Sequence, residues 1–185
     1  MKDKITFWNE YRQMFGVIKN PKTIEVVEAI IQYAEDKGLY NNQIAYILAT
    51  AYHETAFDFI PKREFGSAEY FVKKYWNNVK VRGWLGNDIA SEAVKYCGRG
   101  LVQITGEVNY ERFGIANNPE KALEVEMAVK ILVDGMIGGV FTGRRLKDYV
   151  NKDKTDYTMA RKIINGLDKA EKIRVYANLF LSILD

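Results

Sequence analysis

Two consecutive stretches early in the chain place apolar residues at intervals of three and four, and this spacing constrains the fold more than any other feature. Ile24, Val27, Ile30, Ile31 and Ala34 share one face of a helix that starts after Pro21 and ends at Gly38. Ile44, Ile47, Leu48, Ala51 and Tyr52 repeat the pattern in a second helix, capped by Asn41 or Asn42 and running toward Thr55. Two such helices joined by a short link are expected to pack as a hairpin. Met1 to Phe15 also has apolar residues at helical spacing, among Lys2, Asp3, Lys4, Glu10 and Arg12.

The period then breaks. From Phe57 to Trp84 aromatics and charges are punctuated by Pro61, Gly66 and Gly83, which reads as loop with a short hairpin forming one wall of a cleft. Asn117, Asn118 and Pro119 open a further helix over Glu120 to Val133. Two more run from Asp156 through Ile164 and from Ala170 through Ile183, separated at Asn165 and Gly166. The expected fold is mainly α, with a small β-hairpin or irregular insertion after the second helix. A length of 185 residues with 48% hydrophobic content suits one buried core, so a single domain over 1–185 is expected.

Composition narrows the function. Cys97 is the only cysteine, so no intramolecular disulfide forms, which fits a reducing cytosol. The 27 basic and 24 acidic residues leave a net charge of +3 with no basic block, so no nucleic-acid partner is expected. No run of about eighteen apolar residues occurs, so neither a span nor stable membrane association is expected. Met1 to Phe15 lacks the apolar core of a secretory leader. A monomer is expected, made in the cytoplasm.

His53 and Glu54 invite comparison with a zinc-protease helix, but that motif needs a second histidine at position 57, which is Phe57. No metal is expected. Glycoside hydrolysis instead asks for two carboxyl groups in unlike surroundings. Glu54 ends an apolar helix and precedes Phe57, Phe59 and Ile60, influences that disfavour its charge and suit a proton donor. Glu64 follows Lys62 and Arg63, which suits an ionised base. Each has a plainer alternative, Glu54 as a solvated helix end and Glu64 as a loop glutamate. Tyr96 to Tyr110 adds Gly98 and Gly100 for a sharp backbone path. Gln103 and Thr105 then alternate with Val102 and Ile104 as on a half-buried extended piece, which reads equally as a sugar-binding edge or as a turn with one polar side.

His53-Glu54-Thr55-Ala56, Pro61 to Gly66, Tyr96 to Tyr110 and Ile163-Ile164-Asn165-Gly166 together resemble, in order, glycoside hydrolase family 19, the chitinase-like branch of the lysozyme superfamily. The likeness covers roughly Asn41 to Leu179. It is nearest to phage endolysins, which often carry a stretch like Gly135 to Leu146. Residues 1–20, read as an N-terminal helix, lie outside it. The resemblance implies a lysozyme-like α+β fold and an inverting mechanism with no cofactor, Glu54 as general acid and Glu64 as general base. Thr105 is implied to hold the attacking water, Gln103 and Asn109 to bind sugar, and Tyr96 and Asn165 to line the cleft. The carboxyl groups of an inverting pair stand about 6.5–9.5 Å apart or more. The implied substrate is the peptidoglycan glycan strand, cut between N-acetylmuramic acid and N-acetylglucosamine after a separate permeabilising protein releases the enzyme from the host cytoplasm. A chitinase and an inactive wall-binding or virion module are the alternatives. Cys97 and Gly106 depart from the residues usual in the family, which puts substrate contacts on that wall in question.

Overall fold

A computed structural model of the chain describes residues 3–185. The expected N-terminal helix is present as α1 (Lys4–Phe15), capped by the Asp3 carboxylate on the Thr6 N–H at 3.0 Å; Met1 and Lys2 lie outside the described residues. In chain order follow α2 (Lys22–Asp36), α3 (Asn41–Glu54), β1 (Lys62–Arg63), α4 (Ala68–Phe71), α5 (Val79–Leu85), α6 (Ala90–Lys95), β2 (Arg99–Gly100), α7 (Glu107–Arg112), α8 (Val125–Gly138), α9 (Leu146–Tyr149), α10 (Tyr157–Ala160) and α11 (Ala170–Leu184). The fold is mainly helical, with one small antiparallel sheet. No helix among the described residues is long and apolar enough to cross a membrane.

The chain forms two compact units, residues 3–60 together with Leu132–Asp185, and Pro61–Ile131. In the first, α3 is buried without interruption from Gln43 to Tyr52 and packs along α11 as well as against α2. Its N-cap is Tyr40 rather than Asn41 or Asn42. Gln43 explains the difference, because its Oε1 accepts from the Tyr40 N–H at 3.1 Å while its amide donates to the Val150 carbonyl at 2.9 Å. Asn42 serves tertiary structure instead, donating to the Asn151 carbonyl at 2.9 Å and to Thr155 at 2.7 Å. An aromatic seam joins α1, α3 and α11. Phe15 stacks on Phe180 with centroids 4.4 Å apart and meets Tyr52 edge-on at 5.1 Å.

The second unit differs from expectation in three ways. Of the stretch from Phe57 to Trp84 read as loop, residues 57–67 are irregular apart from β1 as expected, but most of the rest is helical, with α4 passing through a π-helical turn (Val72–Trp76) before α5. These pieces are too short to show a period, yet they bury Phe71, Tyr75 and Leu85 against Ala93 and Cys97 in a core of their own. The expected local hairpin is absent. β1 pairs instead with the distant β2, Lys62 opposite Gly100 and Arg63 opposite Arg99. Finally, the helix foreseen over Glu120 to Val133 is split at extended Glu124 into a 3-10 turn (Pro119–Leu123) and α8. Docking on β2 accounts for the split. Arg99 donates to Glu120 Oε1 from Nε and Nη2 at 2.9 and 2.7 Å, and a Cβ on Gly100 would lie 3.1 Å from the Ala122 carbonyl oxygen.

Gly106 is fixed by packing. It caps α7 at φ 87° and ψ 143°, and a Cβ there would stand 2.7 Å from Leu85 Cβ, Cδ2 and carbonyl oxygen. Gly106→Ala is expected to cost about 2–4 kcal/mol, from backbone strain and overpacking together. Urea unfolding checks this, and an unchanged midpoint would show that Leu85 yields freely.

Candidate active site

Glu54 and Asn165 lie in the first unit, and Glu64, Tyr96, Gln103, Thr105 and Asn109 in the second. The surroundings of Glu54 are not the purely apolar ones expected. Arg161, with a side chain only 4% exposed, donates from Nη1 to Glu54 Oε1 at 2.6 Å and from Nε to the Asp168 carbonyl at 3.1 Å. The sequence signal for this partner was an arginine among the inward-facing Tyr157, Ala160 and Ile163, since a buried guanidinium needs a counter-charge.

On α3, the buried Tyr46 Oη, Thr50 Oγ1 and His53 Nδ1 have no hydrogen-bond partner among the described residues. Burial first, opposed by Glu54 but aided by Arg161 and Lys172, lowers the pKa of His53, so it is neutral at pH 7. Asn165 follows the 3-10 turn Arg161–Ile163 and is exposed, its N–H donating to the Arg161 carbonyl at 3.0 Å. Among the described residues no three His, Cys, Asp or Glu side chains group as metal ligands.

Glu64 extends β1 by one residue, its N–H donating to the Gly98 carbonyl at 2.7 Å. Its carboxylate is saturated with donors. Oε1 accepts from Lys74 Nζ at 2.6 Å and Tyr70 Oη at 3.3 Å, and Oε2 from Tyr75 Oη at 2.7 Å and the Gly98 N–H at 3.2 Å. The cation at Glu64 is thus Lys74, ten residues away, rather than the adjacent Lys62 and Arg63 that the sequence suggested. Burial alone would raise the pKa of Glu64. The hydrogen bonds from Lys74 and Tyr75, the Lys74 charge and the Gly98 N–H outweigh it and hold the carboxyl below the usual glutamate range. Burial and then the balance of Lys74 and Glu64 contacts push the Tyr75 phenol up to about 12, so it remains a donor at neutral pH.

Gln103 stands beside this carboxylate. A Cβ added to Gly98 would lie 2.7 Å from Gln103 Oε1 and 3.0 Å from Glu64 Oε2, so both groups converge on the one position without a side chain. Gln103 is not on a strand, as its alternation implied, but at a turn with φ 56°. Ile104 pairs back to Arg99, and the Gln103 amide donates to the Lys62 carbonyl at 3.0 Å. The alternating burial is nonetheless present, with Val102 and Ile104 inward and Gln103 and Thr105 half-buried. Thr105 donates to the Gln103 carbonyl at 2.8 Å, and Asn109 donates to the Thr105 carbonyl at 2.8 Å. Tyr96, expected in the cleft, is 2% exposed with its hydroxyl on Glu107 at 3.0 Å, which makes it a packing residue.

Because the folded pKa of Glu64 is depressed, its contribution to stability is full above the unfolded value of about 4.3 and is lost as pH falls through the folded one. Lys74→Met is therefore expected to lower stability by about 1 kcal/mol at pH 7, a figure reduced for the partial exposure of the lysine. The difference from the unaltered chain should shrink below about pH 4. Equal losses at pH 7 and pH 3 in urea unfolding would mean that Lys74 acts only through packing.

Compared with known proteins, the chain matches no family model, no curated protein and no solved structure.

Proposed function

We propose that this chain is an inverting glycoside hydrolase that cleaves the β-1,4 bond between N-acetylmuramic acid and N-acetylglucosamine in peptidoglycan. The observation that carries the reading is the Glu64 carboxylate, kept ionised by Lys74, Tyr70, Tyr75 and the Gly98 N–H with the Gln103 amide alongside. A loop glutamate in a mixed-charge run has no need of four donors. The resemblance of the His53 to Ala56 and Tyr96 to Tyr110 segments to family 19 supports the same assignment.

In this mechanism Glu64 accepts a proton from the water that attacks the anomeric carbon, and Glu54 delivers a proton to the departing glycosidic oxygen. Arg161 Nη1 bonds Oε1 of Glu54, so the proton is carried on Oε2, and the ion pair with Arg161 is complete once that proton has left. Gln103 and Asn109 present amides to the sugar, and the Thr105 hydroxyl keeps lone pairs for the water. Donor saturation makes Glu64 a weaker base than an ordinary glutamate, but one that stays ionised in mild acid.

Glu54→Gln is expected to reduce the clearing of purified peptidoglycan by at least about 10²-fold, as loss of an acid catalyst does. Wild-type products should be disaccharide-peptides ending in reducing N-acetylmuramic acid, with the α-anomer formed first by NMR. Wall binding without new reducing ends, on chitin oligomers also, would overturn the enzyme reading. Cleavage of chitin oligomers alone would move the substrate to N-acetylglucosamine polymers. The acid limb of the pH–activity profile should lie below the ordinary glutamate range and move upward in Lys74→Met. Gly98→Ala, whose methyl falls between Gln103 and Glu64, should cost more activity than stability, as activity and urea unfolding of the same preparation will show.

A further inference from the structure

Within the first unit, a pocket of about 430 Å³ opens between the α1–α2 connection and the turn that follows α3. This volume lies toward the lower end of the about 300–1,000 Å³ typical of ligand sites. Its walls include Tyr11, Phe15, Tyr52 and Phe57, and its rim Lys19, Asn20 and Asp58. None of these residues is needed for the acid or base roles above.

Three observations define what the pocket takes. Tyr11 and Tyr52 are 4% and 9% exposed, and neither hydroxyl has a hydrogen-bond partner among the described residues, although both residues line the pocket. As pocket-lining phenols, these two can exchange hydrogen bonds with a ligand's polar groups. The rings around them are held firmly. Phe15 is stacked on Phe180, and Phe57 meets Tyr52 at 5.0 Å and Tyr176 at 5.9 Å while remaining 43% exposed. Ala56 and Phe57, at φ 57° and 76°, hold the rim in a backbone region costly for residues other than glycine, of the kind that persists where the surroundings fix it. Finally, the rim carries charges of both signs in Lys19 and Asp58, and the Lys172 ammonium stands over the Phe57 ring at 5.0 Å. The Asn20 Oδ1 accepts from the Lys22 N–H at 3.0 Å, which leaves its amide NH₂ as a donor at the rim.

Apolar ring faces beside hydroxyls, an amide and charges of both signs match a pyranose, whose C–H face packs on aromatics and whose hydroxyls exchange hydrogen bonds. We infer that this pocket binds a neutral pyranose sugar, one or two rings long. Since α1 lies outside the family resemblance, the N-terminal segment supplies this chain with its own glycan contact. The inference rests on the chemistry of the pocket and does not require the chain to be a hydrolase.

The test uses the full-length ¹⁵N-labelled Glu54→Gln chain, titrated with N,N′-diacetylchitobiose and followed by amide chemical shifts. Saturable shifts at Lys19, Asn20, Ala56 and Phe57 are expected. Tyr11→Phe should weaken that binding about fivefold, the loss of one hydrogen bond, and Phe57→Ala by more. Shifts confined to residues 98–109, or none at the pocket, would overturn the inference, as would tighter binding of anionic N-acetylmuramic acid than of the neutral sugar. Peptidoglycan turnover by the unaltered chain is measured separately. Pocket shifts without turnover remove the catalytic reading alone, and turnover without pocket shifts removes this inference alone.

Discussion

Arg161 and Glu54 hold the first unit to one arrangement. A guanidinium 4% exposed is costly unless paired, and this one divides its donors between the Glu54 carboxylate and the Asp168 carbonyl. The last turn of α3 is thereby tied to α10, to the 3-10 turn Arg161–Ile163 and to the loop that leads into α11. The same tie explains why that loop turns through Lys169 at φ 60°, a conformation that only a fixed surrounding maintains in a residue with a side chain. Near the same end of α3, Tyr52 meets α11 through the rings of Tyr176 and Phe180, while at the other end Asn41 donates to the Leu184 carbonyl at 3.4 Å and to Asp185 at 3.0 Å, so directional bonds hold α3 at both ends.

The second unit uses the same logic with the signs arranged differently. Glu64 binds Gly98 twice, its N–H to the carbonyl and its Oε2 to the N–H, so the side chain continues a ladder that the two short strands begin. Tyr75 joins that junction to the core, since its ring is buried with Phe71, Leu85 and Cys97 while its hydroxyl reaches Glu64. The charge is therefore held by the scaffold rather than by solvent. Donors fixed in advance around a carboxylate favour its ionised form.

What the sequence disclosed follows from the range of the interactions involved. α2, α11 and the break at Asn165 were legible because each rests on local periodicity or on a local terminator. The Asp156 start was legible for the same reason, its carboxylate capping Met159 three residues on. The β1–β2 pairing was not, because nothing near Lys62 or Arg99 signals a partner so distant in the chain. The site divides along the same line. Glu54, Glu64 and Gln103 stood in motifs, whereas Arg161 and Lys74, which govern the two carboxylates, were visible only as a cation in an apolar run and as a lysine four residues beyond Tyr70. Tyr96 misled because a motif position says nothing of which way a ring turns, and this one turns to Glu107.

Cys97 and Gly106 are each fixed by the packing of the second unit. The carbonyl of Cys97 accepts from Arg99 Nη1 at 2.9 Å and from the Tyr110 hydroxyl at 2.8 Å, so the main chain does the structural task. Its side chain needs only to be small and apolar beside Phe71 and Tyr75. At Gly106 the space that a larger side chain would take is filled by Leu85, and the hydrogen bond from its N–H to the Tyr96 carbonyl at 3.0 Å draws the two segments closer. A ring at that position would have to displace α5 or abandon the Tyr96 contact. Both residues therefore follow from the compact core of the second unit, which through Tyr75 also holds Glu64.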